Sequence, residues 1–348
     1  MAKNKKHTSY DKTEARILRG SSLINSMGEM EGNARFDSAE DASVFFAREL
    51  DYVKSQSYDV LYPEFTALGL FPISSEADAG AETITYYTYD KQGLAKIIDN
   101  YSTDLPRADV TGKPSVARVE SIGASYGYSI QEMRASRMAG KSLDVRKAEA
   151  AHYAIDNKTN KIAWKGDADY GLLGILSTAQ NIPLYTIQAG ATSGKTKWTE
   201  KTADEILMDV NGMYAQVARV TKNVERPDTL CLPADVYMDL SMRRIPDSDE
   251  TVLSFLEKHS PYVKNFVNAA ELDSDAIETN PYAAASNGQG VALLFTNNPR
   301  KLTLENPLVF TQHPVQPKNL EMEVPCESRT AGVIVYYPLS ALIAVGVA

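Results

Sequence analysis

The sequence predicts an α+β fold, because strand-forming segments lie towards both ends and helices alternate with strands in the middle. Residues 83–89 consist almost entirely of β-forming residue types, and further strand candidates follow residue 291. Between them, residues 143–162 contain no proline or glycine and carry apolar or small side chains at helical spacing. About twenty residues at ~1.5 Å each predict a helix roughly 30 Å long.

The composition is that of an ordinary globular protein with an acidic surface. Its 348 residues suffice for one large domain or two to three subdomains, and 43% of them are hydrophobic. A formal net charge of −9 at pH 7 argues against a general affinity for nucleic-acid phosphates. Only the beginning is basic. We interpret Lys3, Lys5 and Lys6 as part of a solvated tail, with nucleic-acid contact as the alternative.

The cysteines and the apolar segments exclude several classes of protein. Cys231 and Cys326 lie far apart in sequence, which is typical of buried free thiols in a reducing cytoplasm. No signal-peptide pattern follows Met1. The apolar run from Gly332 contains Pro338 and is shorter than the ~20 residues of a membrane-spanning helix, so we expect a core strand and no membrane association.

The first 73 residues predict three successive segments. Residues 1–40 lack sustained periodicity and are expected to form an extended arm. From residue 41, apolar side chains recur at helical spacing and predict a helix that ends before Pro63. Residues 65–73 are apolar and contain Gly69 and Pro72, which favours an extended segment bounded by turns.

An aromatic β-hairpin is predicted directly before the central helix. Residues 83–89 form its first strand and residues 115–128 its second, with mostly polar residues 90–114 between them. The tyrosines on the two strands are Tyr86, Tyr87, Tyr89, Tyr126 and Tyr128. Because an isolated hairpin is marginally stable in water, we expect these rings to pack either on the subunit's own core or on a neighbouring subunit.

The central helix is preceded by a sequence that starts a shorter one. Ser129 and Glu132 have the spacing of a capping box, and Gly140 ends the short helix that they begin. Ser142 can cap the long helix that follows. On that helix, His152 shares the apolar stripe, and we expect a core histidine with satisfied hydrogen bonds rather than a metal ligand.

The remaining half of the chain predicts alternating helices and strands, then strands alone. A capping box of Thr202 and Glu205 begins a helix over 203–221, and Pro233 separates a buried strand at 229–232 from the next helix. Further elements are expected as a strand at 182–188, a helix at 248–259, and strands at 265–269, 291–296, 302–304, 308–311, 320–324 and 332–337.

One motif suggests chemistry. Residues 190–196, Gly-Ala-Thr-Ser-Gly-Lys-Thr, resemble a phosphate-binding P-loop with Lys195 as its cation. Three residues separate its glycines where the P-loop requires four, and the following helix begins only near Ala203, so we interpret it as a polar surface loop. The histidines and acidic residues show no metal-ligand or catalytic spacing, and no cofactor is predicted.

The order of these segments resembles that of the major capsid proteins of tailed bacteriophages with the Hong Kong 97 fold, a fold shared with encapsulins. Residues 129–132 lie where those capsids turn from the extended E-loop into the spine helix, which residues 143–163 match. Residues 171–174, Gly-Leu-Leu-Gly, resemble the family's Gly-Leu-Leu-Asn turn, with Gly174 in place of the asparagine. Residues 329–338 resemble its closing strand.

The resemblance implies a Hong Kong 97-like division of the chain. The expected segments are an N-terminal arm at 1–40, an N-terminal helix and connecting segment at 41–73, an E-loop β-hairpin at 74–128, a P-domain with the spine helix and β strands at 129–174 and 299–328, and an A-domain at 175–298 and 329–348.

The resemblance also implies a function. The chain would be a structural protein, not an enzyme, that self-assembles as hexamers and pentamers into the icosahedral shell enclosing phage double-stranded DNA. It would assemble in the bacterial host cytoplasm and reside in the virion capsid. Separate scaffolding, portal and decoration proteins are possible partners, with at most weak, non-specific DNA contact. The five hairpin tyrosines would contact a neighbouring subunit, and Lys3, Lys5 and Lys6 would face inward.

Two alternatives remain open from the sequence. An encapsulin-like protein nanocompartment would share the fold and enclose a cargo enzyme. A P-loop nucleotidase would use residues 190–196.

Overall fold

The computed structural model describes residues 64–97, 106–140, 144–246, 248–283 and 290–348. Its α-helices are α1 Thr66–Leu70, α2 Ile130–Ala139, α3 Asp144–Trp164, α4 Ala203–Thr221, α5 Ala234–Met242 and α6 Val252–His259. Its strands are β1 Ile73–Ser74, β2 Thr83–Gln92, β3 Asp109–Arg118, β4 Glu120–Ser129, β5 Gly166–Asp167, β6 Leu172–Leu173, β7 Leu184–Thr186, β8 Thr229–Leu232, β9 Asn265–Asn268, β10 Val291–Phe295, β11 Leu302–Glu305, β12 Leu308–Gln312, β13 Gln316–Lys318, β14 Glu321–Thr330, β15 Gly332–Val335 and β16 Ala341–Val345.

The long helix α3, called the spine helix below, confirms the helix predicted for residues 143–162. It packs across two sheets because its buried side chains recur at helical spacing. Ala151 and Ile155 lie against the sheet of β4 and β14, and Ala163 and Trp164 belong to the core beneath the sheet of β11 and β15. Its buried Asn160 donates to the Glu271 carboxylate at 2.8 Å, which ties the helix to the segment after β9.

The prediction for His152 is wrong. The side chain is half-exposed, its Nδ1 lies 2.8 Å from Asp156 Oδ2 one helical turn away, and the centroids of its ring and the Phe310 ring are 4.4 Å apart. The physical reason is that the buried stripe of the spine helix passes through Ala151 and Ile155, so residue 152 lies at its edge. Burial of Asp156 raises the pKa of that carboxyl group, and the neighbouring imidazole opposes this shift.

Apart from the hairpin strands β2 and β3, the described strands form three sheets, which make up the body of the subunit. One five-stranded sheet has the order β1–β11–β15–β6–β5, and a second has the order β7–β16–β10–β8–β9. The third contains β12, β13 and β4, all of which pair with β14. The second sheet packs against α4, α5 and α6 around an apolar cluster that includes Trp198, Met213 and Leu240.

Glycines permit the tight crossing that follows the spine helix. Gly174 lies against the backbone of Lys165 and Gly166, where a side chain would overlap the chain. Gly332 has φ +75° and lies against the Leu173 carbonyl, so β15 can pair with β6 only because no Cβ is present. The glycine at position 174, where the family's turn has asparagine, therefore has a steric basis in this chain.

Most elements predicted from residue 129 onwards are confirmed. Both capping boxes are present, Gly140 ends α2 in the left-handed conformation, and α4 spans the residues expected of it. The buried strand β8 leads through Pro233 into α5, and both cysteines are buried and free.

The structure corrects three predictions of local structure. Residues 65–73 are not wholly extended, because Thr66–Leu70 forms a helical turn that buries Ala67 against the spine helix. The strand predicted at 320–324 continues to Thr330, since it pairs with β4 along its whole length. Ala341–Val345 is a separate strand in the second sheet rather than a continuation of the strand at 332–337.

Some predictions concern residues outside the described ranges. These are the arm at 1–40, the helix that starts near residue 41, the Ser142 cap, and the hairpin residues 98–105.

Candidate assembly surfaces

The aromatic hairpin is formed by different strands from those predicted. Ten residues of β2 pair with ten of β3 in antiparallel register, from Thr83 opposite Arg118 to Gln92 opposite Asp109. The prediction of one second strand at 115–128 is wrong, because Val119 interrupts it and its amide donates to Glu82. Residues after this point form β4, which leaves the hairpin and pairs with β14.

The root of this hairpin rests on the subunit's own body. Ala117 is buried, and the Tyr86 ring meets the Tyr336 ring edge-on with 5.1 Å between centroids. The Tyr336 hydroxyl donates to the buried Glu305 carboxylate at 3.1 Å and lies 2.8 Å from the Thr303 hydroxyl. Burial raises the pKa of Tyr336, so the phenol stays protonated and supports the root.

The opposite face of the hairpin is apolar and uncovered. Alternation along the strands places Tyr87 and Tyr89 on one face, with Pro114 directly across from Tyr87 and Gly112 directly across from Tyr89. Val116 lies on the same face, opposite Thr85. Tyr87 is 60% exposed and Tyr89 is 69% exposed, and their rings stack with 6.3 Å between centroids. A Cβ at Gly112 would lie 2.9 Å from the Tyr89 ring, so the glycine lets the ring lie flat on the strand. Large, preordered aromatic side chains of this kind are typical anchors of protein interfaces.

Tyr126 and Tyr128 lie on the body of the subunit and not on the hairpin. Tyr126 is only 9% exposed and packs with Ile155 and Val324, and its hydroxyl accepts a hydrogen bond from Gln312 Nε2. Tyr128 packs at the edge of the same cluster. Tyr126 is thus buried within its own subunit, which leaves little of its ring for the contact with a neighbour that the sequence predicted, and that contact stays a prediction.

A second uncovered element joins β4 to the spine helix. Helix α2, called the junction helix below, buries none of its side chains. Its first turn is fixed by the capping box, in which Ser129 and Glu132 exchange hydrogen bonds of 3.1 Å. Lys147 on the spine helix donates to the Glu132 carboxylate at 2.9 Å and to the Gly127 carbonyl at 2.7 Å. The hydrogen bond from Lys147, and after it that from the Ser129 amide, lowers the pKa of Glu132.

The exposed side of the junction helix is basic and apolar. Arg134 and Arg137 are exposed, and Met138 is 94% exposed. The sequence reasoning missed this surface because it treated residues 130–139 only as a helix start. The available signal was the run Met-Arg-Ala-Ser-Arg-Met at 133–138.

The loop that resembles a P-loop is occupied by a side chain of the protein itself. The Glu205 carboxylate accepts hydrogen bonds from the backbone amides of Thr192, Ser193 and Thr202, at 2.7, 3.0 and 3.1 Å. These amide bonds, first that from Ser193, lower the pKa of Glu205 to about 2. The amides that would receive a phosphate are therefore used by an internal anion, as expected for a polar surface loop.

Several other site predictions can be placed only in part. Lys3, Lys5 and Lys6 lie outside the described residues. Within the described ranges, no cluster of three or more His, Cys, Asp and Glu side chains has the arrangement of a metal site. No helix in that part of the chain has the length and apolar character needed to cross a bilayer.

Solved structures share this fold. The chain aligns with the capsid of Myoviridae phage XM1 at a TM-score of 0.72 and 17% identity, covering 88% of this chain and 100% of that one. For Mycobacterium phage Bobi the TM-score is 0.56 at 16% identity, with coverages of 85% and 97%. For the capsid of a native GTA particle it is 0.57 at 10% identity, with coverages of 90% and 100%. No curated protein sequence matches the chain.

These alignments, together with the arrangement of hairpin, spine helix and sheets, show that the chain has the Hong Kong 97-like fold. Residues 93–347 match the family described as "Major capsid protein". Because that match covers well over half of the sequence, the chain belongs to the major capsid protein family. The resemblance found in the sequence is thereby confirmed, together with the predicted fold class and the structural role in a capsid.

Proposed function

We propose that this chain assembles as hexamers and pentamers into an icosahedral shell that encloses phage double-stranded DNA. The observation that carries the proposal is the uncovered apolar face of the hairpin. Two strands alone are marginally stable in water, and this pair presents two stacked tyrosines to solvent. A neighbouring subunit that covers this face would remove the aromatic surface from water and hold the hairpin in place.

The hairpin of each subunit would lie across one neighbouring subunit. The hairpin of another neighbour would in turn lie across that first subunit. One such contact is of modest strength. In a closed shell every subunit makes several contacts at once, so dissociation of one subunit requires all of them to break together. Of the five tyrosines considered above, Tyr87 and Tyr89 are the proposed anchors, and Tyr86 supports the hairpin from within its own subunit.

We propose a domain division in which the spine helix and two of the sheets form the P-domain. Strand β15 pairs with β11, and β14 pairs with β4, so these strands belong with the spine helix. Strand β16 lies between β7 and β10, and this second sheet with α4, α5 and α6 would be the A-domain. The A-domain would meet its copies around the capsomer axis.

The proposed role is structural, without catalytic activity. The loop at residues 190–196 argues against the nucleotidase alternative. Its backbone amides already bind the Glu205 carboxylate, which a phosphate would have to displace. The net charge of −9 suits a container that does not grip its DNA. We further propose assembly in the host cytoplasm, separate scaffolding, portal and decoration proteins, and an inward-facing arm with Lys3, Lys5 and Lys6.

The proposal is tested by expressing the chain and examining the product by size-exclusion chromatography and negative-stain electron microscopy. Shells, tubes or capsomers are the expected result, with co-expressed scaffolding protein as a second condition. A 38.2 kDa monomer under both conditions would contradict it. Nuclease treatment and mass spectrometry of particles from infected cells distinguish DNA from a protein cargo, and a protein cargo would indicate the encapsulin-like alternative.

A further inference from the structure

The junction helix has the surface chemistry of an interface that its own subunit does not complete. It buries no side chain, although it is a regular helix of ten residues. Within the described part of the chain, neither Arg134 nor Arg137 pairs with an acidic side chain, while the one acidic residue of the helix, Glu132, is bound to Lys147. Among the described residues, the helix therefore carries two unmatched positive charges, on a protein whose net charge is −9.

The side chains favour a protein partner over nucleic acid. Met138 and the two arginines share the solvent side of the helix, and methionine and arginine are enriched in protein interfaces while lysine is depleted. Binding to a nucleic-acid backbone draws on many phosphate contacts, which two arginines on an acidic chain do not supply. An almost fully exposed methionine also gains nothing from a phosphate.

The chain itself contains a surface of complementary character. Residues 75–82 carry Glu76, Asp78 and Glu82 without an intervening lysine or arginine, and all three side chains are exposed. The neighbouring Arg329 donates to the backbone carbonyl of Ala79, and Asp78 accepts a hydrogen bond from the Gly80 amide. Among the described residues, no lysine or arginine forms an ion pair with these three carboxylates. Ile73, which is half-exposed, adds an apolar side chain at the start of this acidic loop.

We propose that the junction helix of one subunit docks on the acidic loop, residues 73–82, of a second copy. Arg134 and Arg137 would pair with its carboxylates, and Met138 would pack against Ile73. The inference rests on the proposed shell assembly and names a contact within it that is separate from the tyrosine face of the hairpin.

A charge-swap experiment tests this contact. In the double variant Arg134→Glu/Arg137→Glu, like charges would face each other across the interface, and we expect the particle yield at fixed subunit concentration to fall by about tenfold or more. Adding Glu76→Arg/Glu82→Arg should restore the yield, since each pair is re-formed with opposite polarity. Arg219→Glu/Arg300→Glu is the matched control, because it makes the same change in net charge at exposed arginines elsewhere.

The outcomes separate this inference from the proposed function. If the wild type forms particles and Arg134→Glu/Arg137→Glu does so equally well, the contact does not exist although shell assembly stands. A loss of assembly that the acidic-loop variants do not rescue would also refute the pairing. Shells that form normally but contain less DNA would assign the arginines to nucleic acid instead. Thermal unfolding of the unassembled subunits must remain unchanged for a loss of particles to count as support.

Discussion

Replacing Tyr87 and Tyr89 by serine is expected to prevent assembly while the subunit remains folded. Both rings are mostly exposed on the single subunit, so their loss removes little of its own packing. Surface substitutions of this kind change the free energy of unfolding by about 0.5 kcal/mol or less. Loss of the contact between the two rings adds a small further term, so we expect a total below about 1 kcal/mol.

The effect on assembly follows from the area that the rings expose. A tyrosine can bury on the order of 200 Å², so exposed fractions of 60% and 69% leave roughly 260 Å² for a neighbour to cover. At about 25 cal/mol per Å² this corresponds to at most about 6 kcal/mol per subunit. Incomplete burial and ordering of the hairpin reduce it to roughly half, about 3 kcal/mol. The subunit concentration required for assembly should therefore rise by about 100-fold.

The assay compares particle yield by sedimentation over a range of subunit concentrations, with thermal unfolding of the unassembled subunit as the test of folding. Tyr170→Ser is the matched control, because Tyr170 is 57% exposed and lies in the turn after the spine helix. Unchanged assembly of Tyr87→Ser/Tyr89→Ser at the wild-type concentration would refute the argument that this aromatic face is covered by a neighbour.

Three further predictions concern the stability of the subunit. Because the folded pKa of Glu205 is about 2 against an ordinary 4.5, its carboxylate stabilises the fold above about pH 4.5 and loses this contribution as the pH falls towards 2. Glu205→Gln should therefore reduce the dependence of the free energy of unfolding on pH between these values, as measured by denaturant titration. The same pH dependence in wild type and variant would contradict the hydrogen bonding described. Lys201 and Asp209 form a buried ion pair of 2.6 Å, so Lys201→Met should lower the free energy of unfolding at pH 7 by about 3–5 kcal/mol. The loss should be smaller in acid, where Asp209 takes up a proton. An equal loss at both pH values would show that an unpaired Asp209 carboxylate is not its cause. Gly174→Ala should yield insoluble protein because its Cβ would overlap the backbone, whereas Gly69→Ala, with open space around it, should be soluble; soluble, folded Gly174→Ala would show that the crossing can relax.

Local signals in the sequence were sufficient for the central elements of the fold. The capping box at Ser129 and Glu132 and the long run without proline or glycine placed the junction helix and the spine helix correctly. These features depend on hydrogen bonds and side-chain spacing within a few residues, which one sequence displays directly. The same holds for Thr202 and Glu205, although their second role was not visible. Glu205 also binds the loop amides more than ten residues away.

Pairing between distant strands was where the sequence was insufficient. Residues 115–128 look like one continuous β-forming segment, and the break at Val119 is set by a hydrogen bond to Glu82 and by the pairing of β4 with β14. The same partner decides the environment of Tyr126, whose burial requires the spine helix that packs on its face of the sheet. Alternation of residue types assigns side chains to two faces but does not say what covers either one.

The proposed assembly depends most directly on the hairpin face that the isolated subunit leaves in water. Hydrogen–deuterium exchange of peptides from Thr83–Gln92 and Asp109–Arg118 should be compared between purified particles and unassembled subunits. We predict fast exchange in these two strands in the subunit and strong protection in the particle, with little change in the spine helix. Equally fast exchange in both states would contradict the claim that a neighbouring copy covers the hairpin.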